Sequence, residues 1–146
     1  MTWKQLLAEN RVAAEPTSPT EIKDLRAVVH RNLSDAQIRK LSDDGRFGHA
    51  YDAARILANI IVRATGHRVK SDGGGHYNTF LALKAADPAF AKKAVYFDAC
   101  RRKRNNMLYE QANVVTHTEA EELLWHVSGF SLEVDAWLKR HHPNLI

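Results

Sequence analysis

"SDDGRFGHAYDAARILANIIVRATG", residues 42–66, decides the fold. Phe47, Ala50, Tyr51, Ala54, Leu57, Ala58, Ile61 and Val62 keep the i, i+3, i+4, i+7 rhythm of one helical face over four turns. Ser42 is a good N-cap, and Asp43 and Asp44 suit the positive end of a helix dipole. Gly66 is a natural stop. An apolar stripe of this length needs other elements to cover it.

The same period recurs on both sides. Thr2 and Gln5 form a T-x-x-Q capping box that opens a helix over 3–13. "AEPTSPT", residues 14–20, is a break, and Ile22, Leu25, Val28, Val29 and Leu33 then predict a second helix after Thr20. Downstream, "KSDGGGHYN", residues 70–78, reads as a loop, with a short helix following through Leu81. Pro88 suits the first turn of the next helix, which carries "RRKRNNMLYE", residues 101–110. The final helix starts near Thr116 or Thr118, builds its apolar face from Leu123, Leu124, Val127, Val134, Trp137 and Leu138, and ends before Pro143. No segment alternates as a strand would, and no repeat is present. The expectation is an all-α bundle of four main helices plus one or two short ones, with Phe47, Tyr51, Leu57, Ile61, Phe97, Leu124 and Trp137 in its core.

Composition narrows the class. A chain of 146 residues fits one domain, and 45% hydrophobic residues with Gly 7 and Pro 4 make it globular. The single Cys100 excludes an internal disulfide and any multi-thiolate zinc site, and a reducing, cytoplasmic setting is expected. No apolar run approaches the ~20 residues of a membrane span, and the first residues lack a secretory apolar region. A net charge of +4 and a pI near 9.3 permit a nucleic-acid partner without requiring one.

Turning the motif helix at about 100° per residue separates two faces. Phe90, Phe97, Cys100, Met107 and Leu108 form one, with Arg104 in its middle; Arg101, Arg102, Asn105 and Tyr109 form a polar one. An arginine in an apolar stripe must be paired, because it cannot lose its charge. Either Arg104 is structural, bonded to an acid such as Asp52 or Glu122, or it lines a cleft and awaits a phosphate that its planar fork can hold.

R-N-x-x-x-[H/Y] late in a helical chain resembles the HEPN superfamily. The ordered series "GRFGHAYDAA" (45–54), "GHRV" (66–69), "GGHYNTF" (74–80), "ACRRKRNNMLYE" (99–110) and "VDAWLKRHHP" (134–143) is similar to small bacterial SAV-type HEPN proteins over residues 20–143. The resemblance implies an antiparallel four-helix bundle, with residues 1–19 as an N-terminal helix and linker. It also implies a symmetric homodimer with the motif helix near the two-fold axis. Many family members are metal-independent ribonucleases, several are toxins of toxin–antitoxin pairs, and others bind nucleotides or proteins without catalysis. Arg104 matches the family arginine and Asn105 the polar residue after it, while Tyr109 stands where the family has histidine. Histidine exchanges protons near neutral pH, whereas tyrosine titrates near pH 10. The expectation is an RNA- or nucleotide-binding protein with feeble or no ribonuclease activity; the alternative is a non-catalytic, regulatory protein-interaction dimer.

Other residues carry competing readings. Arg101, Arg102, Arg46 and His76 are candidate phosphate or RNA ligands; His76 could instead cap the short helix, and Arg46 could lie in solvent. "SDGGGHY", residues 71–77, precedes a helix N-terminus that can hold an anion, or is a plain linker. Tyr51 belongs to the core with its hydroxyl satisfied at the rim, and Asp52, Arg55, Asn59 and Arg63 read as a solvated ridge. None of the eight histidines forms an H-x-x-x-H pair, and His141 and His142 suit a helix C-terminus, so neither a metal nor a cofactor is expected. Trp125 falls off the last helix's main stripe and marks either an interface or a wide stripe.

Overall fold

Helix α3, Asp43–Ala64, starts on Ser42, whose hydroxyl accepts the Gly45 amide at 2.9 Å. It ends where Gly66 takes φ 82, a left-handed conformation that glycine adopts without steric cost. Fourteen of its 22 residues are buried, far more than the single predicted stripe. Ala53, Ile56, Ile60 and Ala64 lie off that stripe and are also covered. The many alanines let neighbours approach closely, so α3 is the central helix rather than a surface one.

A computed structural model describes residues 1–72, 74–109 and 111–146. Gly73 of the predicted loop and Glu110 of the quoted motif lie outside the described residues. Six α-helices occur among the described residues. Besides α3 they are α1 (Trp3–Ala8), α2 (Pro19–Ala36), α4 (Gly75–Ala86), α5 (Ala91–Tyr109) and α6 (His117–His141). Helix α3 packs against α2, α6, α4 and α5. Phe47, Tyr51, Leu57, Ile61, Phe97 and Trp137 are buried as expected; on α6 it is Leu123 that is fully covered, with Leu124 half-buried at the core's edge.

Two element boundaries differ from the sequence reading. The first helix stops at Ala8, because Asn10 turns left-handed (φ 59) and the chain then extends. Val12–Ala14 (β1) pairs antiparallel with His67–Val69 (β2), Val12 opposite Val69. Strands this short leave no alternating pattern to read, so the expectation of no strand is corrected. The indole of Trp3 stacks on His67 at 4.0 Å and covers this ribbon. The short helix also runs on past Leu81 to Ala86. Pro88 opens a single 3-10 turn, Pro88–Phe90, that leads into α5.

Two arginines of α3 are buried, and both correct the sequence reading. Arg63, expected on a solvated ridge, is 4% exposed. It donates to Glu21 at 2.6 Å and to the carbonyls of Glu15 (3.1 Å), Pro16 (2.9 Å) and His67 (2.9 Å). It thereby fastens the linker, the start of α2 and the ribbon to the end of α3. Arg46, a candidate phosphate ligand, is equally buried. Its Nε donates to the Ala36 carbonyl at the end of α2 (2.8 Å) and its Nη2 to Glu121 of α6 (2.7 Å). Buried and bonded on both sides, it docks α2 and α6 on α3 and lies apart from the solvent-facing ligand position expected of it. No described helix is long and apolar enough to cross a membrane.

Leu57 is 2% exposed. Leu57→Ala should cost ~2–5 kcal/mol of unfolding free energy in chemical denaturation. Arg63→Met should cost at least ~2 kcal/mol, since it leaves a carboxylate and three carbonyls without their donor. It should also speed hydrogen exchange at the ribbon-edge amides of Glu15 and Lys70, which bond Gly66 and Arg11.

Candidate functional site

Helix α4 packs on both α3 and α5, and this brings three sets of side chains together. Helix α3 contributes Tyr51, Asp52 and Arg55; α5 contributes Arg101 and Arg104, one turn apart; the first turn of α4 contributes His76 and Tyr77. Gly74, left-handed at φ 97, leads into α4, whose start has no side-chain cap. His76 therefore does not cap the helix. Its Nδ1 lies 3.0 Å from the Tyr51 hydroxyl, at the rim of the core, where that hydroxyl was expected to find a partner.

The Arg104 question has a concrete answer. Its Nη2 reaches Asp52 Oδ1 at 3.4 Å, and its guanidinium lies 5.3 Å from the Tyr51 ring centroid. The pairing with Asp52 is one of those foreseen, yet the bond is long and uses one of five N–H donors. Arg101 donates to Asp98 at 2.7 Å and lies over Tyr77, 5.5 Å from the ring centroid. Arg55 has a buried Nε that finds no hydrogen-bond partner among the described residues. A buried unsatisfied guanidinium donor calls for a water or a ligand.

Electrostatics fix the role of His76. Burial lowers its pKa from an ordinary 6.5 to about 4, and the charges of Arg55 and Arg104 push the same way. At neutral pH the imidazole is therefore uncharged, so it is no cationic phosphate ligand. Burial also raises the Tyr51 pKa, against the pull of Arg104, Arg55 and Arg101. A tyrosine held protonated donates to Nδ1, and the imidazole proton then sits on Nε2.

The remaining motif residues are less tightly gathered. Tyr109, the last residue of α5, is 79% exposed. Asn105 is half-buried and Arg102 exposed. Arg102 lines a shallow cleft of about 200 Å³ with Tyr77, Phe80 and Asp98. On the other side of Arg104 a groove of about 360 Å³ runs between α3 and α5, past Gly48, His49, Asp52 and Met107. A Cβ at Gly48 would meet the Met107 methyl at 3.4 Å, so glycine keeps this wall low. Cys100 is buried with its thiol pushed up to about 12, chiefly by burial, and is chemically quiet. Among the described residues no three His, Cys, Asp or Glu side chains cluster as metal ligands would.

The sequence reading missed Arg55 as a member of the site and had no place for His49. The available signal was the Asp52–Arg55 spacing beside Tyr51, which sets both at the edge of the buried stripe. Trp125 is 74% exposed, which removes the wide-stripe reading.

His76 gives the site a pH dependence. Its pKa is lower in the fold than in the open chain, so its contribution is full above pH 6.5 and declines as pH falls toward 4. Glu21, Glu119 and Glu121 are held below their ordinary 4.5, chiefly by bonds from Arg63, Lys103 and Arg46, so their losses come below that value. His142, whose pKa is also lowered by burial and by His141, adds to the same window. Urea midpoints should therefore already fall between pH 6.5 and 5, and His76→Gln should make that portion of the profile shallower.

No protein-family model matches the chain, and no curated protein or solved structure shows detectable similarity to it. What the site can do thus rests on its own chemistry: an arginine-rich cluster, with one buried donor unpartnered among the described residues, around a neutral tyrosine–histidine pair.

Proposed function

We propose that this chain is a HEPN-like RNA- or nucleotide-binding protein, at most a feeble ribonuclease, that holds phosphate at Arg55, Arg101 and Arg104. One observation carries the reading. Three guanidiniums bear on the Tyr51–His76 pair, and Arg55 Nε is buried there without a partner. Like charges brought together in a partly buried site repel, and an oxyanion that accepts from several of them relieves both the repulsion and the unmet donor. The uncapped start of α4 adds backbone N–H groups beside His76. Asp52 and Asp98 offset part of the charge, which favours a ligand with neutral hydrogen-bonding groups beside its phosphate.

The length and order of α2, α3, α5 and α6 support a four-helix bundle of the HEPN kind. The chemistry argues against efficient cleavage. Tyr109 is exposed at the end of α5, and a phenol is a poor proton acceptor near pH 7. His76 is neutral but weakly basic, and already bonded to Tyr51.

Binding of labelled single-stranded RNA and of nucleotides, followed by fluorescence anisotropy over a salt series, tests the reading. Affinity should weaken with salt. Arg55→Ala or Arg101→Ala should each lower it ~10-fold or more, the loss of a charged hydrogen bond. Unchanged affinity in both variants would overturn the proposal. In a timed digestion near pH 7, wild type should show no robust cleavage, and Tyr109→Phe should leave any residual rate unaltered. Fast cleavage abolished by Tyr109→Phe would instead make the tyrosine catalytic.

A further inference from the structure

Helix α6 carries three features that the fold of one chain leaves unexplained, and all lie on one face. Trp125 and Leu132 are each 74% exposed, seven residues and so two turns apart. Between them lies Gly129, exposed in the middle of a 25-residue helix. Glycine there weakens a helix relative to alanine. Among the described residues nothing requires it, because a Cβ added at Gly129 would meet none of their atoms within 4 Å. Ala136, also exposed, continues the stripe one turn further.

We infer that this face of α6 pairs antiparallel with α6 of a second copy of the chain, with the two-fold axis passing by Ser128 and Gly129. The pattern is symmetric about that point. Reversing the helix around it sets Trp125 opposite the partner's Leu132, and Leu132 opposite the partner's Trp125. Such self-complementarity is what a two-fold interface demands. The small pair at the axis lets the two backbones approach, and each indole then covers the partner's leucine. Charge selects the same direction. The start of α6 is acidic, with Glu119, Glu121 and Glu122, and its last turn is basic, with Lys139, Arg140 and His141. Antiparallel pairing brings the exposed Lys139 to within ~6 Å, along the helix axis, of the partner's Glu122. Helical side chains lean toward their own N-terminus, so these two lean toward each other. A parallel pair would set acid on acid and base on base. The inference does not rest on the ligand reading, and it moves the expected two-fold axis from the motif helix to α6.

Sedimentation equilibrium and disulfide trapping test it on the full chain. Wild type should sediment as a dimer at tens of micromolar. Trp125→Ala should raise the dissociation constant at least ~10-fold, as a central tryptophan does when truncated. Gly129→Leu should give a monomer whose circular dichroism is as helical as wild type, since the site is open within one chain. On oxidation Gly129→Cys should form a covalent dimer, and Ala136→Cys should not. Two copies of residue 136 would lie ~22 Å apart, beyond the ~7 Å reach of a disulfide. A monomeric wild type, a dimer retained in Gly129→Leu, or equally fast trapping through Ala136→Cys would each overturn the inference.

Discussion

A helix covered on every side has nowhere to send a charge except into a partner, and α3 is such a helix. Its two buried arginines stand near its two ends. Arg46 ties the start of α3 to the last carbonyl of α2 and to Glu121 of α6. Arg63 ties its end to Glu21, to the linker and to β2. Removing a partner from a buried ion is far more damaging than removing an exposed pair, so these contacts fix how the surrounding elements dock. The apolar stripe supplies the burial; the arginines specify which end meets which neighbour.

The candidate site sits at the rim of that covering. On the Tyr51–Arg55 segment of α3 the neighbours are α4 and α5, and the polar side chains of all three meet at the rim of the core. Arg104 is held loosely, Arg101 firmly, and Arg55 has a donor to spare. Burial, aided by the charges of Arg55 and Arg104, keeps His76 neutral, and the neutral imidazole keeps company with a protonated phenol. That combination suits recognition of an anion better than proton transfer at neutral pH, because the cluster provides fixed donors but no strong base.

The exposed face of α6 obeys a different logic. Inside the chain, each apolar residue on the opposite side of this helix, from Leu123 to Leu138, is covered by its neighbours. Trp125, Gly129 and Leu132 are spaced with the same regularity yet left to solvent. That spacing of bulky, small and bulky residues is the pattern on which the proposed pairing with a second copy rests.

Local rules were legible along most of the chain. Caps at Thr2, Ser42 and Thr116, the stop at Gly66 and the stripe of α3 all follow from side-chain chemistry that acts within a few residues, so the helices could be placed from sequence. Asn10 carried the signal for the early end of α1, but a three-residue strand gains its meaning only from a partner more than fifty residues away. The fate of the arginines was likewise not a sequence property. Arg55 and Arg63 read as parts of a solvated ridge, and Arg46 as a phosphate ligand or a solvent-facing side chain. Only the packing of α2, α4, α5 and α6 around α3 decided that two are structural and one has a donor left over, because the cost of burying a charge depends on what lies across the gap and not on its neighbours in the chain.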